Sequence, residues 1–360
     1  MSSFRIGVIA GDGIGKEVIP AGIAAIERAT RGSSVSVSFS DLPWSCEYYL
    51  SHGRMMDEDG YERMAAFDAL YMGALGAPGV SDAASAGLIL GIRQKFDQYV
   101  NLRPMRLLAG LSSPLAGRGA ADIDMVCVRE NSEGEYSGVG GRIHRGTMHE
   151  VAQQVGVFTR HGIERILRYG FEVAATRPRK MLASATKSNA LTHSMVLWDE
   201  VAEIVRADYP GVEYRKYHVD ALAARMITHP QTLDVMVTSN LFGDILTDIG
   251  SAISGSLGIA PGANINPTRQ HPSMFEPIHG SAPDIAGKGI ANPIAAIWAG
   301  AMMLDHLGER VAHDTIIGAI EQVLADGRVK TPDLGGTATT AEMTKAVASA
   351  LAAQKSRQPA

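Results

Sequence analysis

The sequence predicts an α/β fold with a substantially parallel sheet, divided between two domains. Three observations carry that expectation. Short β-rich apolar runs alternate with stretches of helical period, the arrangement that feeds strand–helix units into one sheet. One helical stretch returns apolar side chains every third or fourth residue, which marks a single buried face. The chain has 360 residues, and at roughly 150 residues per domain that length predicts two domains.

The first strand is expected at residues 5–10 and leads into a helix at 16–30 through Gly11-Asp12-Gly13-Ile14-Gly15. That glycine cluster invites a dinucleotide-binding reading, but Lys16 stands where the Rossmann fingerprint requires its third glycine, so a tight strand-to-helix turn explains it. A strand follows at 125–128. Residues 138–160 show glycine punctuation, alternating character and no helical period, which predicts two strands projecting as an arm; such an arm clasps a second subunit or is a plain surface hairpin. A strand at 180–184 precedes a helix at 189–207, where Leu191, Met195, Trp198, Ala202 and Val205 form the buried face. A strand at 235–238 precedes a helix at 241–254. Residues 255–293 are rich in Gly, Pro and Asn, which predicts a long loop that binds something. No internal repeat is present.

Composition removes several function classes. Hydrophobic residues make up 46% and charged residues 20%, ordinary values that speak against intrinsic disorder. The 33 basic and 38 acidic residues leave a net charge of −5 without a basic stripe, so no nucleic-acid partner is expected. Cys46 and Cys127 are too few for a disulfide framework and suit a reducing compartment, so the expected location is cytoplasmic. The start MSSFRIGVIAG lacks the layout of a signal peptide. The longest apolar run, 294–304, stops at Asp305, short of the ~20 residues that cross a bilayer.

Three groups of residues offer chemistry. Asp244 and Asp248 lie one helical turn apart, a spacing that suits a hard cation such as Mg²⁺ or Mn²⁺ and equally suits a solvated acidic face. Asp220 is a third ligand or a helix N-cap. Arg93, Arg103 and Arg129, if convergent, suit a dicarboxylate, because guanidinium forks bind carboxylates bidentately; separately each is a surface residue. Lys187, where a strand gives way to a helix, is a candidate base, and Tyr136, in a glycine-flanked loop, a candidate acid. Either is equally an ordinary packing residue.

Taken together, these motifs resemble the β-decarboxylating dehydrogenases, the family of isopropylmalate, isocitrate, homoisocitrate, tartrate and D-malate dehydrogenases. The resemblance runs from GDGIG to TPDLGGTATT at 331–340, and its most specific block is FEPIHGSAPDIAGKGIANP at 275–293. It implies an isopropylmalate dehydrogenase-like fold: a nucleotide-binding domain from residues 1–98 plus 254–360, and a central substrate and dimerisation domain at 99–253 carrying the arm. It places His279, Gly280, Ser281, Ala282, Pro283, Asp284, Ile285 and Asn292 around the cofactor. Asp284 favours NAD, since a carboxylate repels a 2′-phosphate; NADP-using relatives carry Lys-Tyr where this chain has Asp284 and Ile285.

The resemblance also implies Arg93, Arg103 and Arg129 on the substrate carboxylates, Asp220, Asp244 and Asp248 on Mg²⁺ or Mn²⁺, and Lys187 and Tyr136 as the catalytic pair. It implies a homodimer whose active sites are shared, Lys187 and Asp220 coming from the neighbouring subunit. The implied chemistry is proton removal from the C2 hydroxyl by Lys187 or a water it activates, hydride transfer to NAD, loss of the C3 carboxylate as CO₂ and protonation of C3 by Tyr136. RENSEGEYSGVGGR, PWSCEYYLSHGRMM, FDQYVNLRP and NINPTRQHPSMFEP look most like the tartrate and D-malate branch.

Gly87 stands where isocitrate enzymes place a serine, which argues against a tricarboxylate. The small residues of SDAASAGLILGIR depart from the branch, which carries an aromatic near Ala86, and Lys16 replaces a usual proline. The alternatives are a 3-isopropylmalate dehydrogenase or a regulatory subunit that keeps the fold without catalysis. The presence of Lys187, Tyr136 and all three aspartates weighs against the latter.

Overall fold

The computed structural model describes residues 2–355, so the outermost ends of the expected nucleotide-binding domain, residues 1 and 356–360, lie outside the described residues. In chain order the elements are β1 (Ser2–Gly11), α1 (Gly15–Thr30), β2 (Val35–Asp41), α2 (Cys46–His52), α3 (Gly60–Ala65), β3 (Ala69–Ala74), α4 (Asp82–Lys95), β4 (Val100–Arg106), β5 (Asp124–Glu130), β6 (Gly140–Ile143), β7 (Val151–Gln154), α5 (Arg160–Thr176), β8 (Met181–Thr186), α6 (Ser194–Arg206), β9 (Glu213–His218), α7 (Val219–Thr228), β10 (Val235–Thr238), α8 (Asn240–Ile253), β11 (Pro261–Ile265), β12 (Ser273–Pro277), α9 (Ile294–His306), α10 (Arg310–Asp326) and α11 (Thr340–Lys355).

Ten strands form one sheet in the order β2-β1-β3-β12-β11-β4-β5-β10-β8-β9. Both flanks are parallel, as the strand–helix alternation predicts. The pairings β12–β11, β11–β4 and β4–β5 in the middle are antiparallel. Strands β3, β8 and β10 are buried throughout, because helices cover both faces of a parallel sheet. The first five strands of the order come from residues before 98 and after 254, and the last five from residues 99–253. The seam between them runs along β11 and β4. Helix α9 is apolar nearly all round and correspondingly enclosed, lying against α1, α10 and β12.

Three expectations are corrected. Residues 255–293 are not one loop, since β11 and β12 are buried central strands inside it. Their glycine and prolines are tolerated because Pro261 opens a strand and Pro277 closes one. The helix expected from residue 189 begins at Ser194. Leu191 lies in the preceding turn and is 40% exposed, and Val201 joins the buried face instead. Asp220 is not the N-cap of α7; His218 holds that position and Asp220 falls in the first turn.

Strands β6 and β7 form a separate antiparallel pair, and on it and the residues flanking it Val139, Ile143, Met148, Val151 and Val155 are exposed. Among the described residues no helix is long and apolar enough to cross a membrane.

Candidate active site

Antiparallel pairing of β4 with β5 sets Asn101 opposite Arg129 and Arg103 opposite Cys127, so both guanidinium groups leave the same face of the sheet. Helix α8 packs on that face. It presents Asn240, Asp244 and Thr247, which follow one another at helical spacing. Arg129 donates from Nε and Nη2 to Asn240 Oδ1 (3.1 and 2.8 Å) and from Nη1 to Asp244 Oδ1 at 2.6 Å. Arg103 donates to Thr247 Oγ1 and to Asn101 Oδ1, each at 2.7 Å. This close approach requires Gly243: a Cβ there would lie 2.5 Å from Arg129 Cγ and 2.4 Å from Thr238 Oγ1.

Arg93, near the end of α4, donates to Glu276 Oε1 at 3.1 Å, and its buried Nε has no partner among the described residues. All three arginines are buried. Burial, then the charges of Arg129 and Arg93, pull Arg103 down to about 10. A dicarboxylate would relieve that concentration of positive charge.

Tyr136, on the loop after β5, donates to Asp244 Oδ2 at 2.8 Å. Burial and this bond to a carboxylate push its pKa up, so the phenol stays a proton donor through the neutral range. Burial alone would raise the Asp244 carboxyl, but Arg129, Tyr136 and Arg103 outweigh it and hold it below the usual carboxylate range. Asp248, one turn further along α8, is exposed.

Lys187, just beyond β8, donates to Asp220 Oδ1 at 2.7 Å, and that bond lowers the Asp220 carboxyl. No hydrogen bond among the described residues links this pair to the arginine cluster. Nor do three Asp, Glu, His or Cys side chains gather into a metal-binding group among them. Asp244 and Asp248 remain as two oxygen donors one turn apart. They fit a hard cation that takes one or two protein carboxylates and completes its sphere with water and substrate oxygens.

The FEP block leaves β12 and forms a pinned loop. Ile14 donates its backbone N–H to Ser281 O at 3.0 Å, and Gly13 sits so close that a Cβ would lie 2.1 Å from the same oxygen. The first glycine turn therefore clamps this loop. Glu17 Oε1 accepts from Gly287 N (2.7 Å), Thr340 Oγ1 donates to Ala291 O (2.6 Å), and Asn292 Nδ2 donates to Asp333 Oδ2 (3.0 Å). His279 Nδ1 lies 3.0 Å from Gly280 O, while its buried Nε2 has no partner among the described residues. Burial lowers its pKa and keeps the ring neutral. Ser281 is buried, Ala282 and Ile285 are half-buried, and Gly280, Pro283 and Asp284 are exposed. An orphaned ring nitrogen and an exposed carboxylate on the same loop fit a nucleotide.

Sequence reasoning missed Glu276, Asn101, Asn264, Asn240 and Thr247. Asn240 had a usable signal in its helical spacing from Asp244. The buried charge of Glu276 had none, because Arg93 lies 183 residues away.

The family model for isocitrate/isopropylmalate dehydrogenase matches residues 5–347. The D-malate dehydrogenase [decarboxylating] of Escherichia coli (strain K12) is 55% identical over 355 residues, covering 96% of this chain and 98% of that protein. The tartrate dehydrogenase/decarboxylase of Pseudomonas putida is 51% identical over 359 residues, covering 97% and 98%. The crystal structure of isocitrate dehydrogenase from Methylococcus capsulatus matches with a TM-score of 0.87 at 35% identity, covering 97% of this chain and 99% of that one. The family match, the sequence identity and the near-complete structural overlap agree, and the chain belongs to the isocitrate/isopropylmalate dehydrogenase family.

Proposed function

We propose that this dehydrogenase oxidises a (2R)-type hydroxy dicarboxylate, D-malate or tartrate, at C2 with NAD, coupled to loss of the C3 carboxylate where the product allows. The observation that carries the reading is the convergence of buried Arg93, Arg103 and Arg129 beside Tyr136 and Asp244. Guanidinium groups without enough protein anions to match them suit a substrate with two carboxylates. The likeness to D-malate and tartrate dehydrogenases at 51–55% identity supports the choice of acid.

Asp244 and Asp248, with Asp220 of a second copy, would hold Mg²⁺ or Mn²⁺, which when bound supplies Lewis-acid polarisation of the C2 oxygen. Residues 279–285 and Asn292 would hold NAD, which accepts the hydride, and the exposed Asp284 carboxylate disfavours a 2′-phosphate. The arginines bind and orient the carboxylates. Lys187, contributed by a second copy, takes the hydroxyl proton directly or through water. After CO₂ leaves, Tyr136 delivers a proton to C3 from a phenol that stays protonated near neutrality. The two domains, 1–98 plus 254–360 and 99–253, would meet at the β11–β4 seam, and the exposed β6–β7 arm would clasp the second copy of a cytoplasmic homodimer.

Gly87 is exposed on α4 and offers no hydroxyl to a third carboxylate. Ala86 and Gly87 also leave room for a bulkier C3 substituent, the observation that favours 3-isopropylmalate as second reading. Purified protein is assayed with D-malate, tartrates, isopropylmalate and isocitrate, each with NAD or NADP and Mn²⁺. The highest kcat/KM is expected with D-malate or a tartrate and NAD. A higher value on isopropylmalate overturns the substrate, and absence of NAD reduction with every acid returns the non-catalytic reading.

A further inference from the structure

Asn264 is the fourth of the five residues of β11, at the seam of the sheet, paired with Asn101 on β4 and Met274 on β12. Its side chain is fully buried. The amide makes all four hydrogen bonds open to it. Oδ1 accepts from Asn101 Nδ2 (2.8 Å) and Asn131 Nδ2 (2.9 Å); Nδ2 donates to Glu276 Oε1 (2.7 Å) and Met274 O (3.5 Å). Asn101 Oδ1 in turn accepts from Arg103, and Glu276 Oε1 accepts from Arg93. An unbroken, buried chain of hydrogen bonds therefore runs Arg103–Asn101–Asn264–Glu276–Arg93.

The ends of that chain fix its direction. Arginine only donates, so Asn101 must turn its oxygen to Arg103 and its nitrogen to Asn264. Glu276 Oε1 already accepts from Arg93, so Asn264 must turn its nitrogen to Glu276 and its oxygen to Asn101. Neither amide has a second orientation that keeps the bonds, and burial makes each lost bond costly. The two arginines arrive from opposite sides of the seam, Arg93 on α4 and Arg103 on β4. Nothing else in the hydrogen-bond pattern among the described residues ties one to the other so directly.

We propose that Asn264 is a positioning residue that sets the spacing between Arg93 and Arg103 and thereby selects a substrate with two carboxylates. This deepens the functional reading above and rests on it. Asn264 touches neither substrate nor cofactor; it acts through Asn101 and Glu276.

The test is Asn264→Asp, which keeps the shape but turns two donors into acceptors and sets a carboxylate against Glu276. The comparison is Ile265→Ala on the same strand, whose neighbouring side chain leaves the opposite face and destabilises β11 without touching the polar chain. For whichever acid the wild type turns over, KM for the acid is expected to rise at least about tenfold in Asn264→Asp, while KM for NAD moves less than about threefold. Ile265→Ala is expected to lower Tm yet keep the acid's KM within about threefold. The proposal is overturned if folded Asn264→Asp keeps the wild-type KM for the acid, or if Ile265→Ala raises it equally. Should Asn264→Asp not fold, Asn264→Ser breaks the same link without adding charge and is judged by the same criterion. Because KM is compared within one acid, a wrong choice of acid and a wrong role for Asn264 give different results.

Discussion

Tyr136 and Asp244 share one hydrogen bond, and each explains the other's ionisation. The phenol helps hold Asp244 ionised, while burial and the carboxylate keep the phenol protonated. Tyr136→Phe removes the proton donor and one support of Asp244. Its kcat is expected to fall about a hundredfold with KM for NAD little changed, as measured by steady-state kinetics; an unchanged kcat would remove Tyr136 from the mechanism. Wild-type activity is expected to show no alkaline loss from Tyr136 below pH ~10, because its pKa is raised from the ordinary tyrosine value. At this scale the arginines, Tyr136 and Asp244 were legible in the sequence as residue types. Glu276, which pairs with Arg93, and Asn264, which pairs with Asn101, were not, because hydrogen bonds joining residues 183 and 163 positions apart leave no periodic trace.

Among elements, regular alternation made the parallel flanks readable, whereas β11 and β12 were hidden. Each has five residues, and both are buried from end to end by neighbouring strands and α9, so no in–out alternation marks them. The turn before α6 was equally hidden. There the N–H groups of Ala190 and Leu191 bond to Lys187 O, holding residues 187–191 in a turn while the apolar spacing continues through it.

The contact of α9 with β12 carries a pH response. His306, the last residue of α9, lies with its ring centroid 5.5 Å from that of Phe275. Burial, then the charge of Arg269, lowers its pKa to about 4. A histidine lowered on folding stabilises the fold fully above its unfolded value near 6.5, and the contribution is lost as pH falls from there towards 4. With its partial exposure allowed for, the loss is on the order of 2 kcal/mol. Urea unfolding at pH 6.5 and 4.5 is expected to show a smaller drop for His306→Gln than for wild type, and equal drops would contradict the assignment.

Over the whole molecule, one sheet carries all of the site's parts. Strands β4 and β5 bring two arginines to α8, α4 brings the third, and the loop after β12 meets the first glycine turn. The glycine cluster that first suggested phosphate binding holds the loop after β12 through Gly13, Ile14 and Ser281, a relation only the folded chain displays. Lys187 and Asp220 pair with each other, and among the described residues no hydrogen bond joins them to the cluster.

The most direct measurement is product stoichiometry with D-malate, NAD and Mn²⁺, following NADH by absorbance and CO₂ and pyruvate by coupled assay. Equimolar NADH, CO₂ and pyruvate are predicted, since the hydroxyl proton leaves, the hydride passes to NAD and a proton replaces the lost carboxylate at C3. NADH accumulating from D-malate without CO₂, or no NADH from either D-malate or a tartrate, would contradict the account.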